Sequence, residues 1–208
     1  MKAMYTILLV LLPAARAGSA EAVLYQIRPG DEARMELTVE KSGLLSGKKH
    51  LLTFSRYGGR LLFDRERPEA STITLSIEAN SVSCRDTWLS MKDLRKVQEY
   101  ALKDMLAADR YPQIIFRSVA IKRINASQYE VQGTLTIRDI SRPAVAMVSL
   151  RARSNGLLRV EGESRLRLTD FGLKPPTAAL GTIGTKNEMS FHFVLTATPQ
   201  RRTATSVE

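Results

Sequence analysis

An all-β fold, a closed or nearly closed antiparallel barrel of about eight strands with one inserted helix, is what this sequence predicts. Three observations carry that prediction. Apolar and polar residues alternate through most of the chain from Ala33 onward, one segment alone switches to helical spacing, and turn residues separate the alternating runs. So many strands on one core would leave exposed edges, and closure removes them. The 208 residues suit one domain, and 44% hydrophobic with 25% charged residues is a globular balance rather than a disordered or polytopic membrane one.

The chain opens on a targeting pattern. Lys2 precedes an apolar run over 3–12, Pro13 breaks it, and small residues follow through Ala17 to Ala20. This predicts a secretory signal peptide over 1–20, cleaved after Ala17 or Ala20, because the run falls short of the roughly 20 apolar residues a membrane span needs. No cysteine follows to carry a lipid anchor. The expected location is therefore periplasmic or secreted, and removal of Lys2 and Arg16 lowers the net charge of +10 by two. That route demotes nucleic acid as the partner of the excess charge and leaves an anionic headgroup or a membrane surface.

The domain spans 21–199. Alternation is clearest over 157–169, where Arg159, Glu161, Glu163, Arg165 and Arg167 oppose Val160, Gly162, Ser164, Leu166 and Leu168. It recurs over 72–79 and 130–138, and further strands are predicted over 24–27, 34–40, 50–57, 60–64, 114–124, 144–152 and 188–198. Turns are placed at Gly58-Gly59, Arg67-Pro68, Asn125-Ala126-Ser127, 139–143 and Asn155-Gly156. Interior glycines Gly133 and Gly162, with Ser164, mark either room for a small ligand or bends in the barrel. Over 87–110 the apolar residues Leu94, Val97, Ala101 and Met105 recur at helical spacing, with Asp86 or Thr87 as the cap and Tyr111-Pro112 as the stop. The polar residues 200–208 read as a disordered tail.

Catalysis has little to build on: the chain holds one cysteine, Cys84, and two histidines, His50 and His192, so a disulfide, a metal centre or a histidine triad is not predicted. Cys84 reads as a half-buried inert thiol and His192 as a structural or surface residue. Asp64, Asp86, Asp104 and Asp170 fall at strand ends and turns, where capping is the default role. Binding has more support. Lys48, Lys49 and His50 form a cationic cluster after Gly47, at a barrel rim, suited to an anionic headgroup. The glycine- and proline-containing segment 173–186 reads as a lid over an apolar opening.

Taken in order, Phe54, Tyr57, Gly59, Phe63-Asp64, Pro68, Ser71 and Glu78-Ala79-Asn80-Ser81-Val82 form a recognisable string. Asp104-Met105-Leu106, the run from Tyr111-Pro112 to Ser118, Gly133 to Arg138, Arg142-Pro143 and Thr169-Asp170-Phe171-Gly172 continue it. The whole resembles the YceI-like family, most specifically over 111–143. The resemblance implies an extended lipocalin-like barrel of eight antiparallel strands, exported to the periplasm, that holds an amphiphilic isoprenoid in an apolar interior without catalysis or cofactor. Face alternation places Leu75, Ile77, Phe116, Ser118, Leu135, Ile137, Val160 and Leu166 towards that interior. The chain departs from many relatives where they carry histidine: after the first long strand it has Lys41 or a neighbour, and in the Arg-Asp-x-His-Leu motif it has Trp88, or Glu99 by the other alignment. Lys48, Lys49 and His50 are therefore the substitute headgroup candidates. The reading from another class is a barrel filled by its own side chains that serves as a structural or interaction module, and an extracytoplasmic hydrolase ranks third.

Overall fold

The computed structural model describes residues 22–200, so the signal peptide expected over 1–20 and residues 201–208 of the expected tail lie outside the described residues. Gln200 itself belongs to the barrel edge, since its N–H donates to the Leu24 carbonyl at 2.8 Å.

In chain order the strands are β1 (Val23–Arg28), β2 (Arg34–Gly43), β3 (Lys49–Phe54), β4 (Tyr57–Phe63), β5 (Thr72–Glu78) and β6 (Val82–Cys84). Helix α1 (Met91–Tyr100) follows, and then β7 (Gln113–Arg123), β8 (Gln128–Ile137), β9 (Ile140–Ala152), β10 (Leu158–Arg167), β11 (Thr177–Ala178) and β12 (Ile183–Pro199). Eight of them close an antiparallel ring in the order β1-β4-β5-β7-β8-β9-β10-β12 and back to β1. The long β12 makes the closure. Its last residues, Thr196 to Pro199, pair with β1, while Ile183 to Val194 pair on the same edge with β2, which leads on to β3 and β6. These three strands form a tongue that lengthens the barrel at one end. Inward residues of neighbouring strands meet in one core, with Ile27, Met35, Phe171, Leu195 and Ala197 almost wholly removed from water.

Several boundaries differ from the sequence reading for local reasons. The strand expected over 50–57 is two strands, β3 and β4, separated at Ser55-Arg56. Gly58-Gly59 is not a turn but part of β4: a Cβ on Gly59 would come 2.4 Å from the Thr74 carbonyl oxygen of β5, so the close approach of two strands requires glycine there. The turn expected over 139–143 contracts to Arg138, at φ 59°, and Asp139, and Pro143 lies inside β9 opposite Thr134.

The helix starts later than expected. Its cap is Ser90, not Asp86 or Thr87: the Ser90 Oγ accepts the Asp93 N–H at 3.1 Å and donates to the Asp93 carboxylate at 2.7 Å. After Tyr100 the helix widens into a π turn over Ala101–Met105. Ser90→Ala is expected to cost about 1 kcal/mol. Urea denaturation should show the lower midpoint, and amide exchange should show α1 opening while the barrel strands keep their protection.

The interior glycines have a specific occupant. A Cβ on Gly133 would lie 2.4 Å from Phe116 Cζ, and one on Gly162 would lie 2.6 Å from Phe193 Cζ. A phenyl ring from the adjacent strand therefore lies over each bare backbone, a stabilising arrangement for strand glycines. The missing side chains leave room for aromatic packing, and Gly133 also lies opposite Ser118, at the edge of the bulge in the β7–β8 ladder.

Candidate functional site

The inward faces enclose two adjoining chambers. The larger, ≈400 Å³, lies at the tongue end beneath the helix. Leu37 and Val39 of β2, Leu52 and Phe54 of β3, and Val97, Tyr100, Ala101 and Met105 of the helical segment wall it. The smaller, ≈110 Å³, lies deeper among Leu61, Phe63, Tyr129, Val131, Val148, Phe193 and Leu195. Ile77, Ile114, Leu135, Leu166 and Phe191 line both chambers and so lie at the boundary between them, here called the neck. The size is that of a small-molecule site, and the walls are almost entirely apolar. Lysine and histidine side chains reach only the larger chamber: Lys41, His50 and Lys96.

Seven of the eight interior residues expected from alternation line these chambers. Leu75, Phe116 and Val160 face the smaller one, Ile137 the larger, and Ile77, Leu135 and Leu166 both. Ser118 lines neither. Its Oγ accepts the Ile73 N–H at 2.9 Å beside the bulge between Ser118 and Ala120, so the hydroxyl is engaged in holding an irregular stretch of the β5–β7 and β7–β8 ladders.

The cationic cluster Lys48, Lys49 and His50 divides by the same alternation. His50, Leu52 and Phe54 face the cavity, whereas Lys49 faces out and pairs with Glu40 across the β2–β3 ladder at 3.0 Å. Lys186 and Lys49 together hold the Glu40 carboxyl down to about 2. Lys48 sits with its Nζ 5.9 Å from the Trp88 ring centroid. Neither lysine lines a chamber.

His50 is held on two sides. Its Nδ1 lies 2.5 Å from Asp86 Oδ2, and the Trp88 ring stacks on it with centroids 5.5 Å apart. The other Asp86 oxygen accepts the Leu51 N–H at 2.7 Å, and Trp88 Nε1 donates to the Lys49 carbonyl at 2.9 Å. Asp86 thus anchors His50 and the start of β3 through hydrogen bonds, and its expected capping role passes to Ser90. Asp64 does keep the capping role, accepting the Glu66 and Arg67 N–H groups at 3.0 and 2.9 Å. Cys84 adjoins the pair, and one donor atom each from His50, Cys84 and Asp86 lies within 4.8 Å of the others. That proximity has no signal in the sequence, which suggested no metal ligands. Both Asp86 oxygens are already engaged, and burial first of all pushes the Cys84 thiol up to about 11, so it stays protonated at neutral pH. His192 faces outward, half-exposed, 3.7 Å from Glu161 and 4.0 Å from Glu36.

One residue that the sequence marks only as standing where relatives carry histidine, and not as a headgroup candidate, belongs to the site. Lys41 shares the inward face of β2 with Met35, Leu37 and Val39 and is buried in the wall of the larger chamber. Its parity is legible in the sequence, but the predicted strand over 34–40 stops just before Lys41, whereas β2 runs on to Gly43. The Nζ donates to Thr185 Oγ1 at 3.5 Å, and burial lowers the Lys41 pKa while the nearby Asp86 charge opposes the shift.

The segment 173–186 does cover the larger chamber in part, through Leu173, Pro176 and Thr185. Part of it is regular structure, β11 and the start of β12, and Leu180 stands fully exposed at φ 56°.

Several solved structures share this architecture. Burkholderia cenocepacia BcnA superposes with a TM-score of 0.62 at 19% identity, covering 79% of this chain and 96% of that one. A polyisoprenoid-binding domain from Saccharophagus degradans implicated in plant cell wall breakdown superposes with a TM-score of 0.58 at 14% identity, covering 85% and 99%. In sequence, the UPF0312 protein of Yersinia enterocolitica is 30% identical over 165 residues, 76% of this chain and 79% of that protein. A UPF0312 protein of Pseudomonas savastanoi is 29% identical over 168 residues, covering 77% and 81%. The sequence profile of the YceI-like domain matches residues 25–196, the whole barrel from β1 to the closing residues of β12, and the chain belongs to that family.

Proposed function

We propose that this protein is an exported, non-catalytic carrier that holds a polyisoprenoid or similar amphiphilic lipid in its barrel. The observation that carries the reading is the pair of apolar chambers joined at a neck, with charged groups at one end only. Such a shape takes a long tail along the barrel and keeps its polar end at the tongue. Each buried methylene contributes about 0.8 kcal/mol, so a tail reaching past the neck gains steadily with length. The structural likeness to the Saccharophagus degradans polyisoprenoid-binding domain supports the lipid class. The absence of catalysis is supported by a protonated Cys84 thiol and a His50 locked between Asp86 and Trp88.

Export rests on the residues of 1–20, with their basic, apolar and small-residue regions in order. Membrane-surface contact at the tongue end is supported by exposed Leu44 and Leu180, which flank the bond from the Leu44 N–H to the Thr182 carbonyl. Native mass spectrometry of protein purified from its own host tests the carrier reading. A co-purifying apolar mass is the expected result. A bare chain that takes up no prenyl alcohol in vitro would overturn it in favour of a structural or interaction module.

A further inference from the structure

Among the described residues, three charged side chains are buried: Asp64, Asp86 and Lys41. The two carboxylates are satisfied. Asp64 accepts two backbone N–H groups and pairs with Arg67 at 3.1 Å, and Asp86 pairs with His50 and accepts the Leu51 N–H. Lys41 is different. It is nine-tenths buried, its bond to Thr185 is at the outer limit of hydrogen-bond length, and no carboxylate of the described residues lies within 4.0 Å of its Nζ. An ammonium carries three donors, and leaving a buried cation without a counter-charge is costly. The cost falls at one place, the inward end of β2, on the wall of an apolar chamber.

We infer that Lys41 is the seat of an anionic headgroup, a carboxylate or phosphate monoester at the end of the lipid tail, with the Thr185 hydroxyl beside it. This inference rests on the carrier reading and narrows its ligand to acidic amphiphiles. Three features of the site fit such a group. Both Asp86 oxygens are engaged, by His50 and the Leu51 N–H, and neither lies within 4.0 Å of the Lys41 Nζ, so the Lys41 ammonium keeps donors that a ligand can answer. Lys96, which also reaches the larger chamber, is paired with Asp93 at 3.2 Å, and the other walls are almost entirely apolar, which sets the direction of entry: head at Lys41, tail through the Leu135–Phe191 neck. Lys48 and Lys49, by contrast, lie outside the chamber, where their charges are screened by water and, for Lys49, by Glu40.

The test compares matched pairs, geranylgeranyl phosphate against geranylgeraniol and palmitate against hexadecanol, at neutral pH. The single tryptophan, Trp88, stacked on the chamber-lining His50, supplies the fluorescence readout. The wild type should bind at least one anion about tenfold or more tighter than its alcohol, the range of a charge-assisted hydrogen bond in a dry site. Lys41→Met should abolish that preference and leave the alcohols within about threefold, Lys41→Arg should retain it, and Lys49→Met should change neither. A preference confined to the phosphate or to the carboxylate identifies which source supplies the head, and both support the assignment. Met keeps the length of the side chain and leaves no carboxylate without its hydrogen-bond partner, so Lys41→Met should remain folded, and its melting curve checks this. Equal losses for anion and alcohol in Lys41→Met, or a wild type indifferent to charge, would overturn the assignment while the carrier reading stands. Failure of all four probes to bind wild type would overturn the carrier reading itself, and this inference with it.

Discussion

Leu135→Trp should sever the dependence of affinity on tail length. Leu135 sits in the neck, lining both chambers, and an indole there adds bulk at the boundary a tail must cross. A short prenyl alcohol such as farnesol, lodged in the larger chamber, should bind the variant within about threefold of wild type. For a longer one, such as the thirty-carbon hexaprenol, each five-carbon unit denied the smaller chamber forfeits on the order of 3 kcal/mol, roughly a 100-fold loss per unit. Affinities measured across a homologous series give the result directly: a rising line for wild type and an early plateau for the variant. Parallel lines for the two proteins would show that the tail does not pass the neck.

The second large effect is on stability. Gly162→Ala places a methyl group 2.6 Å from Phe193 Cζ and 2.8 Å from the Met147 carbonyl oxygen, well inside normal contact. Overpacking of this kind costs about 1–3 kcal/mol, and the rigid backbone oxygen argues for the upper part of that range. Phe193→Leu withdraws the ring and should recover part of the loss, leaving the portion due to Met147. A double-mutant cycle on urea midpoints isolates the ring's share. If the two single changes simply add, the phenyl ring is not what the glycine accommodates.

These positions also show what the sequence can and cannot disclose. Strand parity alone puts Leu135, Leu166 and Ile77 in the chamber walls, because a period of two is a property of each strand by itself. The same parity, carried one residue further along β2, reaches Lys41, and carried through β3 it separates His50 from Lys49. What parity cannot supply is a partner. Asp86 meets His50 only because β6 pairs with β3, and a three-residue strand such as Val82–Cys84 is too short to show any alternation. Gly133 and Gly162 are likewise ambiguous along the chain, since the rings that cover them come from β7 and β12. The helix begins at Met91 rather than at 87 because Trp88 is engaged with β3, stacking on His50 and donating to the Lys49 carbonyl, a contact that helical spacing does not disclose.

Closure of the ring by β1 against the end of β12 has a temporal consequence. The two strands come from opposite ends of the described chain, so the last seam cannot form until almost every residue is available. Joining such distant segments is slow, because loop entropy is lost before the contact rewards it. Ile27, Leu195 and Ala197, among the best-buried residues, lie at or beside that seam, so their burial waits for the final step. Folding should therefore behave as a late, all-or-none event, and a chain ending short of Thr196 should remain an open sheet with its interior wet, whatever the quality of the rest of its sequence.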